Sequence, residues 1–463
     1  MNILVAPNSM KGSLNADEFA DAVERGLRKE SPVFNVRTLP IADGGDYTGH
    51  VLMNALNAQE ITCNVTDPLG RPIRALMGIA GQTAIIEMAA ASGMRLLRSD
   101  ELNPMMASTA GTGEMLRHAV SLGCTTLLLG VGGSATIDGG IGMLGALGFS
   151  FYDTEGAALP PVPASLLKVA DLHTPADWKP ETEIVILYDV NNPLLGPEGA
   201  ASVFGPQKGA DADTVQRLEQ GLNHWVQILE RKTGKQLRDL PGMGAAGGIA
   251  SGLFALMDAR MEPGADYIFN ILNLDEHLEW AGWIITGEGK IDGQSNFLKA
   301  PVSLALAAKN KNKPVIAIAG AVDYPVPELF DGVFSIANRP LSLDESLEQA
   351  AELVKETAAQ AGKLLLRGSQ KDYADHVLVT TAERLINENR LNEAQLKLQQ
   401  IDRNLAAFPY LNGLISKKLQ NWGSALNGFL KALEIDPGFK AAELNMEMVR
   451  NIISFVNPSL RDP

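Results

Sequence analysis

Four aspartates stand where short apolar runs break off. Asp43 ends TLPIAD before two glycines, Asp189 follows EIVILY, and Asp138 closes LLLGVGGSATID before another glycine pair. Asp292 lies in GEGKIDGQS, with Glu288 and Lys290 beside it. Any one of these carboxylates also reads as a helix cap. Together they crowd several strand ends with negative charge, and strand ends are where open α/β sheets hold ligands. Carboxylates gathered near a phosphate need a cation between them, so the set points to metal-assisted chemistry. Asp43, Asp138 and Glu288 are the expected metal ligands.

Glycines and small hydroxyl residues suggest what those carboxylates face. Gly132, Gly133 and Ser134 can wrap a phosphate with backbone amides. Thr109–Glu114, TAGTGE, is expected to open a helix, which would turn the Thr109 and Thr112 hydroxyls toward its positive end. Lys11 lies in PNSMKGS just past the first apolar run, within reach of a phosphate or carboxylate, with helix amides behind it. A plain surface lysine is the alternative. Lys208 sits on a turn in FGPQKGA, and Asn192 lies in DVNNPLLG. PNSMKGS is not a Walker motif, and GVGGSAT is not the GxSxG elbow of a serine hydrolase. The sequence lacks CxxC and HExxH, and its six histidines are scattered, which argues against zinc.

Strands must deliver these loops. Apolar runs at 2–6, 127–131, 283–286, 314–319 and 333–336 read as strands. Helical patterns fall at about 15–29, 111–122, 139–148, 211–232, 300–310 and 344–364, with Asn15 and Glu18 forming a capping box. Strands spaced by helices predict a largely parallel sheet, hence an α/β fold. With 463 residues, 46% hydrophobic and 20% charged, the chain has the balance of a soluble enzyme of two or three domains. A net charge of −15 argues against nucleic acid as partner, though not against a phosphorylated substrate. No apolar run is long enough for a membrane span, and MNILVAPNS reads as a strand, not as a leader. Cys63 and Cys124 are too few for a disulfide framework and read as core fillers, so a cytoplasmic setting is expected.

Composition changes near residue 368. Only five of the 45 glycines lie from Gly368 onward, where 11 acidic and 11 basic side chains cancel. Gly413, Trp422, Ala425, Phe429, Ala432 and Pro437 have tetratricopeptide spacing, and Ala382, Leu385, Leu391, Ala394 and Leu398 form a looser preceding unit. Small residues allow close helix crossings while larger ones fill the groove. Two units are few for a free-standing array, so packing on the body or on another subunit is expected, with 367–463 joining a second copy or a protein partner.

Nine segments in order, APNSMKGSL, LPIADGGD, DPLGRP, IEMAAASG, GTGE, GVGGSATIDGG, ASVFGPQKGA, GAAGGIASG and ITGEGKIDGQS, resemble the bacterial glycerate kinases. The resemblance covers residues 1 to about 366. It implies transfer of the ATP γ-phosphoryl group to the 2-hydroxyl of D-glycerate with Mg²⁺. It also implies a discontinuous Rossmann-like domain (1–64 and 284–366), an inserted α/β domain (65–283), the helical extension 367–463, and an active site in the cleft between the first two. On that basis Lys11 and Lys290 neutralise phosphate oxygens, and Asp189 or Asp292 orients and deprotonates the hydroxyl. The loops with Gly132, Gly133, Ser134, Thr109 and Thr112 cradle substrate or phosphate, as does Asn192, and Lys208 pairs with the substrate carboxylate. The chain departs from the family at Asn8 (usually Asp), Asp46 and Tyr47 (usually Glu and Gly), Ile137 (usually Asn) and Tyr188 (usually a small residue). The loss of a carboxylate at position 8 and of a polar group at position 137 predicts weakened activity or a different acid. A kinase for another small hydroxy acid, or a ligand-sensing scaffold that uses the tail, is the competing expectation.

Overall fold

The structure is a computed structural model that describes residues 1–176, 182–293 and 299–456. Its strands are β1 (Asn2–Val5), β2 (Asn35–Thr38), β3 (Gln59–Thr66), β4 (Pro72–Ala80), β5 (Thr83–Glu87), β6 (Thr126–Gly130) and β7 (Ser150–Tyr152). There follow β8 (Ala158–Leu159), β9 (Asp171–His173), β10 (Glu183–Tyr188), β11 (Arg260–Pro263), β12 (Trp283–Ile291), β13 (Val315–Val322) and β14 (Gly332–Ser335). The chain divides into two compact units.

The first unit takes Met1–Pro40, Asp275–Ser295 and Leu304–Pro463. Ile3, Leu4, Val5, Ile284 and Ile285 are fully buried, as strands covered on both faces must be. They form a parallel sheet in the order β14-β13-β12-β1-β2. From β1 the chain moves outward to β2, and from β12 it moves the other way through β13 to β14. The order therefore reverses between β1 and β12. β12 also runs further than its apolar core suggests. GEGKI, expected as loop, continues the strand and pairs with β13 as far as Ile291 opposite Val322. Gly287 makes this possible, because a Cβ there would collide with the Ile318 carbonyl.

Helix Ala16–Glu30 begins at the expected Asn15–Glu18 capping box. It packs on helix Ala350–Gly368 through Gly26, where any Cβ would meet the Lys355 carbonyl. Five more helices follow: Gln370–Asn387, Leu391–Leu398, Ala407–Lys418, Trp422–Ile435 and Lys440–Val456. A Cβ on Gly413 would lie 2.7 Å from the Phe429 ring, so the small residue does set the crossing as its spacing suggests. These helices do not stand apart. Their apolar side chains belong to one cluster that runs from Ile3 and Phe34 to Phe429 and Val449. Arg28 grips the buried Asp436 through two hydrogen bonds of 2.7 and 3.1 Å, and the Met1 ammonium lies 3.1 Å from Asp372.

The second unit takes Ile41–Leu274 and Asn296–Ser303. Its six-stranded sheet runs β11-β10-β6-β5-β4-β3. β5, β6, β10 and β11 are parallel, while β3 and β4 form an antiparallel meander on β5. β3, which the resemblance groups with the first domain up to residue 64, belongs to this sheet. A separate small sheet, β8-β7-β9, is antiparallel and carries too little apolar pattern to be read from sequence. Helix Ala212–Thr233 covers the core with the fully buried Trp225. Among the described residues, no helix is long and apolar enough to cross a membrane.

Candidate active site

In the first unit the chemistry-bearing residues collect where the strand order reverses, the place where open parallel sheets bind ligands. Ala6 and Asn8 extend β1 by bonding Ile285 and Gly287 of β12. This brings the 8–13 loop beside Gly289, whose missing Cβ would lie 3.4 Å from the backbone nitrogen of Lys11. Lys11 is exposed at this edge. The helix behind it offers less to an anion than its sequence promises, because Asn15 takes the Glu18 amide and Asp17 and Glu18 occupy the first turn. On β12, half-buried Glu288 precedes Lys290, which pairs with Asp292 at 3.0 Å and with Asp323 at 3.7 Å. The hydrogen bond from Lys290 to Asp292 raises the ammonium above its ordinary range. Asp292 therefore serves its lysine in this structure. Gln294 and Ser295, which end the motif, lie outside the described residues.

In the second unit, glycine loops stack over the ends of β6 and β10. The Gly132 amide donates to the Gly44 carbonyl at 3.2 Å. A Cβ on Gly132 would lie 2.5 Å from the Gly45 Cα, and one on Gly45 would lie 2.8 Å from Asp43 Oδ1 and 3.2 Å from Asp189 Oδ2. Asp43 and Asp189 are thereby neighbours. Lys299 Nζ lies 2.6 Å from Asp189 Oδ2 and 3.9 Å from Asp43 Oδ2, so two carboxylates converge on one ammonium. Burial pushes the Asp43 carboxyl up, opposed by Lys299. Among the described residues no group of three or more metal-ligating side chains is assembled. Mg²⁺ does not require one, because it typically uses one or two carboxylates together with phosphates and water. A pair of oxygen donors that already shares a cation fits that ion.

Several residues expected at the ligand are engaged by contacts within this unit. Asp138 is fully buried and accepts from the amides of Thr109, Gly140 and Gly142 and from Thr109 Oγ1. These bonds tie the Thr109 and Gly140 loops together. Thr109 and Thr112 are fully buried as well, and Thr112 bonds Ser92. Asn192 spends its amide on the Glu198 carbonyl. Lys208 is 2% exposed, and its ammonium reaches Ser134 Oγ at 2.7 Å and the Thr136 carbonyl at 2.8 Å. Burial lowers its pKa to about 7. It braces the glycine loop through these two bonds.

The sequence profile of the Glycerate kinase family matches residues 3–366. The chain belongs to that family. It is 40% identical to glycerate kinase of Bacillus subtilis (strain 168) over 366 residues, covering 77% of this chain and 96% of that one. It is 38% identical to glycerate 2-kinase of Escherichia coli (strain K12) over 359 residues, covering 76% and 94%. A crystal structure of a candidate glycerate kinase 2 from Salmonella typhimurium LT2 superposes with TM-score 0.69 at 38% identity, covering 80% of this chain and 99% of that one.

The kinase carries its departures from the family pattern in places that explain them unequally. Ile137 is fully buried in the apolar core, so it does not face the open side of its loop. Asn8 is buried, and its Oδ1 accepts from the Ser9 amide at 2.7 Å. Tyr188 packs its ring on Gly242, 2.7 Å from where a Cβ would stand. Tyr47 adopts φ 67°, a left-handed conformation that costs a side chain about 1–2 kcal/mol. Its ring lies 5.5 Å from the Arg95 guanidinium, a contact worth roughly 0.5–1 kcal/mol at an exposed site. Lys299, Arg95 and Glu87 stand beside these loops as candidate site residues that the sequence did not single out. Glu87 ends β5, accepts from the Gly49 amide and is pushed up by burial. Its position between the apolar Ile85–Ile86 pair and MAAASG carried the signal. Lys299 and Arg95 look like surface cations until the fold places them.

Proposed function

We propose that this kinase transfers the γ-phosphoryl group of ATP to the 2-hydroxyl of D-glycerate, giving 2-phospho-D-glycerate and ADP with Mg²⁺ as cofactor. The observation that carries the reading is the meeting of Asp43, Asp189 and Lys299 beside the Gly132–Ser134 loop. Asp189 is the base. It is the more accessible of the two carboxylates, and Lys299 holds its Oδ2 in place at 2.6 Å. It takes the hydroxyl proton as the new O–P bond forms and the bond to the ADP oxygen breaks. Asp43 is the carboxylate that would hold Mg²⁺, and Glu288 is the other acidic side chain we assign to the metal. When bound, the ion neutralises charge on the phosphate oxygens. Lys11 and Lys290 do the same with ammonium groups, and Asp292 steadies Lys290. The Gly132–Gly133–Ser134 loop cradles substrate, with Lys208 bracing Ser134. Positioning and electrostatics supply most of the acceleration.

The two free, buried cysteines suit a reducing cytoplasm. We read the C-terminal hairpins as tetratricopeptide-like, with their outer faces open to a second copy or a protein partner. ADP release at saturating ATP, Mg²⁺ and D-glycerate tests the reaction, run beside Lys11→Ala and with L-glycerate and related hydroxy acids. The expected outcome is fastest turnover of D-glycerate and a large loss in Lys11→Ala. Equal or better turnover of another acid overturns the substrate assignment. Tight D-glycerate binding without turnover favours a sensing scaffold.

A further inference from the structure

Tyr47 is a strained residue without a local structural reason. It immediately precedes helix Thr48–Ala55 at φ 67° and makes no side-chain cap bond to that helix. A glycine would hold the same backbone without strain. Strained residues persist where their surroundings hold them, and they concentrate at functional sites. What the tyrosine adds is a ring against Arg95, and that contact is no larger than the strain. A side-chain hydrogen bond to Arg95 adds to the ring contact, so what the tyrosine supplies is directed at placing Arg95.

Arg95 is held at a second point. Its Nη2 lies 3.2 Å from Asp46 Oδ2. The arginine side chain is nevertheless 58% exposed, so the guanidinium is oriented but not enclosed. It stands beside the glycine loop. The Met94 amide donates to the Gly133 carbonyl at 3.0 Å, and a Cβ on Gly133 would lie 2.6 Å from Asp46 Oδ1. Other cations of this unit near the loop are committed. Lys208 is buried on Ser134 and Thr136, and Lys299 lies between Asp189 and Asp43. A guanidinium presents five donors in a fork that matches a carboxylate, and Asp46 engages one end of it.

Resting on the kinase reading above, we propose that Arg95 grips the carboxylate of the hydroxy-acid substrate and is a specificity-determining residue, with Tyr47 and Asp46 as its positioning residues. The guanidinium also offsets the charge of Asp46 and Glu87, which would otherwise repel an acid at this loop.

The test is steady-state kinetics of the full chain with D-glycerate and with the uncharged analogue D-glyceramide, for Arg95→Ala, Arg95→Lys and Tyr47→Gly. Arg95→Ala is expected to raise KM for D-glycerate about 10- to 100-fold, the span of a charge-assisted hydrogen-bonded pair, with KM for ATP within about twofold. Its preference for D-glycerate over D-glyceramide should fall by a similar factor. Arg95→Lys should recover part of the loss, because a point charge replaces the fork. Tyr47→Gly relieves the strain, so its melting temperature should be equal or higher while KM for D-glycerate rises about two- to fivefold. That combination separates positioning from damage to the fold. Unchanged KM for D-glycerate in Arg95→Ala, or a rise confined to ATP, overturns the inference and leaves the kinase reading standing. Absence of D-glycerate turnover in the unmodified chain overturns both.

Discussion

At the scale of single residues, two aspartates with similar sequence surroundings do different work. Asp138 has its acceptors filled by three amides and a hydroxyl, whereas Asp189 faces one ammonium and keeps some exposure. Asp138→Asn should therefore destabilise the protein by about 1–3 kcal/mol, because at least one buried donor loses its acceptor. Asp189→Asn should leave the melting temperature nearly unchanged and lower kcat about 10²- to 10⁴-fold. Melting curves beside steady-state rates check the pair, and equal thermal losses would contradict the assignment. Lys208 makes a pH prediction. Its folded pKa of about 7 lies below the 10.5 of the free side chain, so between those values the unfolded chain binds more protons. Stability should rise with pH across that window and gain nothing from this group below it. Urea unfolding from pH 6 to 9 is expected to show a steeper rise for the native chain than for Lys208→Met. Parallel profiles would mean that the ammonium is not buried as described.

At the scale of elements, close backbone approach decides what the strand ends can hold. The Gly132 and Gly44–Gly45 segments touch backbone to backbone, and this contact brings Asp43 and Asp189 to one ammonium. Gly132→Ala would force the loops apart. The expected cost is about 1–3 kcal/mol, with a fall in turnover as the carboxylates separate. Thermal unfolding and ADP release should move together, and a stable variant with native rate would show the contact to be dispensable. The glycines were legible in the sequence as loops. That those of GEGKI belong to a strand was not, because their small size serves pairing beside β13 and the approach of the Lys11 loop. Local glycine content cannot distinguish a turn from a strand that must pass close to its neighbours.

At the scale of the whole molecule, the C-terminal helices are part of the first unit's core. Arg28 and buried Asp436 tie helix Ala16–Glu30 to them, and Asp436 is 3% exposed. Arg28→Met should cost about 3 kcal/mol by leaving that carboxylate without its partner. A chain ending at Arg367 should melt at lower temperature and self-associate, since it uncovers the cluster that joins Phe34 and Leu365 to Val379 and Ala382. Calorimetry and assembly mass check both variants, and a monodisperse truncated chain with native melting would show the tail to be a detachable module. The sequence by itself determined the α/β class, the family, the loops that carry chemistry and the helical spacing of the tail. These depend on local periodicity and on motifs whose residues are adjacent along the chain. Only the tertiary structure decided that Asp138, Thr109, Thr112 and Lys208 face inward, that Lys299 and Arg95 face the loops, and that the tail shares a core with β1. Each of those facts depends on residues distant in sequence competing for the same space, charge and hydrogen bonds, and linear spacing holds no record of that competition.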